Sequence, residues 1–172
     1  MNLLLLHDED FTASDRVLVG DRRAEHIRTI LKARVGDAVK AGRANGLMGQ
    51  AVIESDTPEG ISLRVTLDTA PPEPLPVTLM LAMPRPIAFR RMLPWITTFG
   101  VKKIHLFNAF KVEKSYWTSS VFEEFHELMT LGLEQARDTV YPEIVRHQRF
   151  KIFVEDEVPG MIAGTLPLVA HP

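Results

Sequence analysis

Arginine and lysine are the residues of this chain whose types and spacing point to chemistry, and that chemistry is anion recognition. Arg85 stands between Pro84 and Pro86, directly after the apolar run Val77–Met83. The two prolines fix the local backbone, so the guanidinium is presented from a set position past a strand end, where it suits a phosphate or a base edge. Arg90 and Arg91 follow. A second group is the basic stretch Arg22–Arg34, in which Arg28 and Lys32 fall on one helical face, with Arg43 beyond it. A third, Lys111-Val112-Glu113-Lys114-Ser115-Tyr116-Trp117, interleaves cations with rings. Such a pattern holds single-stranded RNA by charge and stacking. A plainer reading fits each group as well: a solvated helix face, a surface arginine, and rings packed beneath the next helix.

Other chemistries lack their residues. There is no cysteine, which excludes a disulfide framework, a thiolate metal site and a cysteine nucleophile. The six histidines do not pair at ligand spacing, so no metal site is expected. No Gly-x-Ser-x-Gly elbow occurs. The glycines from Gly42 to Gly49 surround the tight-turn dipeptide Asn45-Gly46 and read as a hairpin, not a phosphate loop. No self-sufficient catalytic constellation is present.

The whole chain of 172 residues carries a net charge of −2, is 45% hydrophobic and 24% charged. Those values exclude a disordered or collagen-like polymer. The charge is unevenly placed. Residues 16–43 hold eight Lys/Arg against three acids, and residues 85–114 hold seven against Glu113 alone. Residues 121–157 hold nine acids against four bases. A polarised surface of this kind steers anionic partners. Met1–Leu6 is apolar but is followed by Asp8, Glu9 and Asp10 without a basic leader, so it reads as a strand and not a signal peptide. No apolar run approaches the ~18 residues of a membrane helix. No membrane association is expected, and the cytoplasm is the default compartment.

These groups must be positioned by two units. Four prolines between Pro71 and Pro76 favour an extended linker, which divides the chain into 1–70, 71–76 and 77–172. The first unit predicts a small β-barrel. Its strands are Asn2–Leu6, Arg16–Val19, Ala38–Ala41, Gly49–Glu54 and Ile61–Leu67, and its one helix is Arg22–Ala33. Asp21 caps that helix, Ile27, Ile30 and Leu31 share its apolar face, and His26 reads as a packing and hydrogen-bonding residue beside that face. The second unit alternates. Val77–Met83, covered on both faces, leads to a helix Ile87–Phe99 that Pro94 kinks or breaks and Gly100 closes. Strand Lys103–Phe107, helix Phe122–Arg137, strand Ile144–Val145, a short helix ending near Ala163 and strand Leu166–Ala170 follow. The order implies an α/β fold with a parallel sheet and crossover helices.

The pattern His26-Ile27-x-x-Ile30-Leu31-Lys32-x-x-x-Gly36-Asp37 resembles the N-terminal PUA-like domain of the 16S ribosomal RNA uridine N3-methyltransferases, members of the SPOUT superfamily of knotted methyltransferases. Leu81-Ala82-Met83-Pro84-Arg85-Pro86, Phe99-Gly100-Val101, Val112–Trp117, Leu133-Glu134-Gln135-Ala136-Arg137-Asp138, Tyr141-Pro142-Glu143-Ile144 and Leu168-Val169-Ala170-His171-Pro172 are similar to successive segments of the same family. The matches run in order over nearly the whole chain. Pro84-Arg85-Pro86, Thr98-Phe99-Gly100 and Asn108-Ala109-Phe110 depart from the family's Gly-acid-basic, Glu-Leu-Gly and Ser-Glu-Arg stretches. The family's Gly-Pro-Glu-Gly-Gly loop and its Leu-Gly-x-Arg-Ile-Leu-Arg-x-Glu-Thr-Ala segment do not occur.

The resemblance implies a PUA-like β-barrel followed by an incomplete SPOUT α/β portion. It implies S-adenosylmethionine as cofactor, small-subunit ribosomal RNA as partner and a homodimer for the full-length enzyme. It assigns RNA holding to Arg28, Lys32, Arg43, Arg85, Arg90 and Lys114, the first cofactor loop to His171 and Pro172, and ordering of the sheet edge near the cofactor to Glu134, Gln135 and Arg137. The transfer step is expected of residues beyond position 172, so this chain is expected to bind RNA weakly and to transfer no methyl group. A non-catalytic RNA-binding module and a small-molecule-binding α/β protein are the alternative readings.

Overall fold

A computed structural model describes residues 1–170. Strands β1 (Leu4–Leu6), β2 (Phe11–Ala13), β3 (Arg16–Val19), β4 (Ala38–Arg43), β5 (Met48–Thr57) and β6 (Gly60–Thr69) form one sheet in the order β1-β4-β5-β6-β3-β2. The sheet curls into a half-barrel. Only the β1–β4 pair is parallel. Strand alternation turns Val17, Val19, Ala51, Ile53, Ile61 and Leu63 inward, where all are buried. Gly49 allows β5 and β6 to cross closely, because a Cβ there would meet the Thr66 carbonyl oxygen at 2.0 Å.

Asp21 caps helix α1 (Arg22–His26) by accepting from the Arg23 amide at 2.8 Å. The expected helix to Ala33 does not continue as such. The backbone widens into a π-type turn over Ile27–Leu31 and stops at Lys32, whose φ is 52°. The wider turn changes the angular spacing of the side chains. Ile27 is buried, but Ile30 and Leu31 are 66% and 45% exposed, against the shared face that α-helical spacing implies. His26 is half-buried and its Nε2 finds no hydrogen-bond partner among the described residues.

The second sheet contains β7 (Thr78–Ala82), β8 (Lys103–Phe107) and β9 (Glu143–His147), in that order and all parallel. Helices α2 (Pro86–Thr98) and α3 (Phe125–Ala136) make the crossovers. Ile104 and Leu106 of β8 are buried in one core with Phe89 and Leu93 of α2 and Met129 of α3. At Gly132, α3 comes so close to α2 that a Cβ would lie 2.5 Å from the Pro94 carbonyl oxygen. Pro94 does not break α2, which runs as one helix. The Thr97 and Thr98 hydroxyls donate to the Leu93 and Pro94 carbonyls just there. Strand β7 lies at an edge and its apolar residues are half-buried, not covered on both faces.

Short helical segments at Phe150–Ile152, Phe153–Glu157 and Val158–Ile162 follow β9. Leu166–Ala170 is not a strand. It pairs with no neighbour among the described residues, Pro167 offers no amide to a ladder, and Leu168 is 83% exposed.

The two sheets meet through β1, which serves two cores. Leu4 and Leu6 face the half-barrel interior, while Leu3 and Leu5 pack on Leu133 of α3. The amides of Asn2 and Leu3 donate to the Glu134 carbonyl oxygen at 3.0 and 3.1 Å. The Glu134 carboxylate, 2% exposed, accepts both arms of the Arg22 guanidinium at 2.9 and 3.0 Å. The β4–β5 hairpin adds a second strap. The Asn45 amide donates to the Thr139 carbonyl at 2.7 Å, and the Tyr141 amide donates to Asn45 Oδ1 at 3.0 Å.

Candidate nucleic-acid interface

Three of the six cations singled out for RNA already hold carboxylates. Arg28, just past α1, donates to Asp56 Oδ1 at 2.9 and 2.6 Å and to the Thr57 carbonyl at 2.9 Å. Those bonds raise its pKa. Arg43, at the end of β4, pairs with Asp8 at 2.9 Å and lies over the Phe11 ring at 4.9 Å. Arg90, on α2, forks onto both oxygens of Glu124 at 2.6 Å. The hydrogen bond from Arg90 holds the Glu124 carboxyl below the usual carboxylate range. To bind a phosphate, each of these guanidinium groups must give up a partner.

Lys32, Arg85 and Lys114 are exposed and have no carboxylate partner among the described residues. Arg85 is the N-cap residue of α2, with Pro86 opening the helix. Lys114 opens the turn Lys114–Thr118. In that turn Tyr116 and Trp117 are half-buried against the α2–α3 core, and Trp117 Nε1 donates to Asn108 Oδ1 at 3.4 Å. The rings are therefore packing groups, and the cations beside them are the exposed ones.

Of the six, Lys32 lines a concavity at the junction of the two sheets. Two adjoining cavities, of ≈ 540 and ≈ 650 Å³, share Leu3, Lys40 and Arg137. Lys32 lines the smaller one. Lys40 comes from β4 and Arg137 from the C-cap of α3, so the wall is built from both parts of the chain. Lys40 belonged to the basic stretch of the sequence but was not singled out. Its place on a strand facing the trough follows from pairing with β5, which local spacing does not reveal.

Glu134, Gln135 and Arg137 do not act together at the edge of the parallel sheet. The Glu134 side chain points to the half-barrel and pairs with Arg22, the Gln135 carbonyl accepts from Asn2 Nδ2 at 2.9 Å, and Arg137 opens onto the trough. The family resemblance places the segment at a sheet edge near the cofactor. In three dimensions its helix end abuts β1 instead. His171 and Pro172 lie outside the described residues.

A further group was not legible. His105 Nδ1 and His147 Nε2 lie 2.9 Å apart on neighbouring strands, with Glu157 Oε2 3.3 Å from His147 Nδ1. Burial first, and His147 second, hold the His105 pKa below its ordinary value. The ring of Phe153 stacks on His147 with centroids 4.0 Å apart.

No group of three or more metal-ligating side chains occurs among the described residues. A third cavity, ≈ 490 Å³ at the end of β9, is lined by Arg146, His147, Gln148, Arg149, Ile152 and Glu157. That donor set does not fit S-adenosylmethionine. Two guanidinium groups would face a sulfonium cation, and one isoleucine is the sole apolar side chain for an adenine.

An RNA methyltransferase domain model matches residues 71–172. The ribosomal RNA small subunit methyltransferase E of Treponema pallidum is 32% identical over 157 residues, which cover 89% of this chain and 59% of that protein. The ribosomal RNA small subunit methyltransferase E 1 of Borreliella burgdorferi is 26% identical over 152 residues, covering 84% and 60%. The chain thus spans about three-fifths of these relatives' length. The crystal structure of a ribosomal RNA small subunit methyltransferase E from Neisseria gonorrhoeae, bound to S-adenosylmethionine, superimposes with a TM-score of 0.66 at 14% identity, over 90% of this chain and 66% of that one. A likeness at that identity establishes the fold.

Proposed function

The chain belongs to the RNA methyltransferase domain family, and from that premise we propose that the whole protein methylates N3 of a uridine in 16S ribosomal RNA. The observation that carries the reading is the family match over residues 71–172, the part folded as a parallel sheet with crossover helices. The relatives named as small-subunit ribosomal RNA methyltransferases give it its RNA class. In this reading residues 1–70 are a PUA-like RNA-holding unit, 71–76 a linker, and 77–172 the leading portion of a SPOUT unit. The enzyme is a cytoplasmic homodimer.

S-adenosylmethionine supplies an electrophilic methyl group when bound. The cavity at the end of β9 does not suit it, and no transfer step is assigned to the described residues. Their task is positioning. The N3–H proton must leave the uridine, and the base must be presented with that nitrogen in line with the incoming methyl, which requires it to be flipped out of its stack. Lys32, Arg85 and Lys114 hold the RNA backbone with side chains not engaged elsewhere. Arg28, Arg43 and Arg90 contribute where phosphate replaces their carboxylates.

The test is transfer of an isotope-labelled methyl group from S-adenosylmethionine to purified small ribosomal subunits by the whole protein, with the product nucleoside mapped by mass spectrometry. The expected product is 3-methyluridine in 16S ribosomal RNA. Label on another atom or another RNA, or none, overturns the reading.

A further inference from the structure

We infer that the trough where the half-barrel meets α3 seats a single RNA strand, with Lys32, Lys40 and Arg137 as its phosphate contacts. The inference rests on the RNA-methyltransferase reading for the chemistry of the partner and adds a place for it. Three observations carry it.

The first is the state of the cations. Arg22, Arg23, Arg28, Arg43 and Arg90 are all committed to carboxylates. Lys32, Lys40 and Arg137 are exposed, have no carboxylate partner among the described residues, and converge on two cavities that share a wall. Asp37 and Asp68 also line the trough. Both are already accepting, Asp37 from the Arg34 amide at 2.7 Å and Asp68 from Thr69 Oγ1 at 3.0 Å.

The second is backbone conformation. Among the described residues, three non-glycine residues have positive φ: Lys32 at 52°, Asn45 at 55° and Arg137 at 58°. Asn45 is ordinary there, being in a tight turn. Lys32 and Arg137 each end a helical segment at a position that glycine occupies at least strain. A helix C-terminus favours a cation nearby but does not require one in the left-handed region. Both long cations placed at such sites open onto the same trough, and strain of this kind gathers at ligand sites.

The third is the rest of the lining. Gln50, Thr66 and Thr69 offer neutral hydrogen-bonding groups suited to 2′-hydroxyls and base edges, and Leu3 and Met48 offer apolar surface to a base face. The helix end that carries Arg137 is anchored to the half-barrel, because Glu134, one turn earlier, is bonded to Asn2, Leu3 and Arg22.

The experiment uses the 172-residue chain and a fluorescein-labelled 12-nucleotide single-stranded RNA, read by anisotropy between 50 and 300 mM salt. The triple variant K32Q/K40Q/R137Q should bind at least tenfold more weakly. Its salt slope should fall by about 2, since each lost phosphate contact removes roughly 0.7 on a single strand. Arg34→Gln, in the same basic stretch but outside the trough, should bind as wild type does. Lysine acylation read by mass spectrometry serves if the triple variant melts early. RNA should protect Lys32 and Lys40 and leave Lys151 reactive. Wild-type affinity in a folded triple variant, or equal acylation of Lys32 and Lys40 with and without RNA, overturns the trough and leaves the RNA reading standing. No RNA retention by the wild-type chain at 50 mM salt overturns both. Equal affinity for polyglutamate of matched charge makes the trough an acidic-polypeptide site and also overturns the proposal.

Discussion

The bond between Arg22 and Glu134 should behave as a strut whose two ends are unequal. Glu134 keeps 2% of its side chain exposed and Arg22 keeps 46%. Arg22→Gln therefore strands a buried carboxylate, which costs about 4 kcal/mol, within the range for breaking a buried pair from one side. Glu134→Gln leaves the guanidinium free to turn to water and gives up the two-armed charged contact, about 2 kcal/mol in all because the exposed guanidinium is rehydrated. With both replaced, no buried charge remains, and the double variant should lose about 2 kcal/mol, a coupling of about 4 kcal/mol. For a chain of this size Arg22→Gln should lower Tm by roughly 8–16 °C. Urea unfolding at fixed pH measures all four corners of the cycle. Additive losses, or an Arg22→Gln cost under about 1 kcal/mol, would refute the claim that this contact joins the two sheets.

Two further outcomes follow from close contacts elsewhere. Gly132→Ala should destabilise by about 1–3 kcal/mol despite its gain in helix propensity, because the Pro94 carbonyl 2.5 Å away belongs to helix backbone and cannot swing aside; an unchanged urea midpoint would show that α2 and α3 can part. His105 has a depressed pKa in the folded chain, so its neutral form favours folding. Its contribution is full above its ordinary value of 6.5 and is lost as pH falls through the lower folded value. Unfolding midpoints should thus drop more steeply between pH 7.5 and 5.5 in the wild type than in His105→Gln, and equal slopes would dismiss the histidine pair as the source.

What the sequence revealed was local. Strand β8 was legible to the residue, and in Lys103–Phe107 the buried Ile104 and Leu106 alternate with exposed or half-buried neighbours. The Asn45-Gly46 turn, the Asp21 cap and the closing Gly100, with its φ of 80°, were equally plain. Leu166–Ala170 misled because an apolar run specifies burial only where a neighbouring strand supplies hydrogen bonds. Arg22–Ala33 misled because one widened turn reassigns every face after it. Charge and spacing mark cations suited to RNA but do not tell whether a guanidinium already has a carboxylate. Arg28 shows the difference, since Asp56 stands 28 positions away and is brought beside it by β5. The His105–His147 pair needed the register of two parallel strands, and His147 lay past the end of the strand the sequence suggested.

The two-sided character of β1 bears on the order in which the chain can mature during synthesis. Leu3 and Leu5 are synthesised well before the helix that covers them, whose end arrives 133 positions after Asn2, as the Asn2–Gln135 contact records. Until then the half-barrel can close on Leu4 and Leu6 but keeps a greasy flank bare to solvent. Nascent chains stalled between the half-barrel and α3 are accordingly the species that chaperones should retain, and a slow decoding step in that interval would lengthen the exposure.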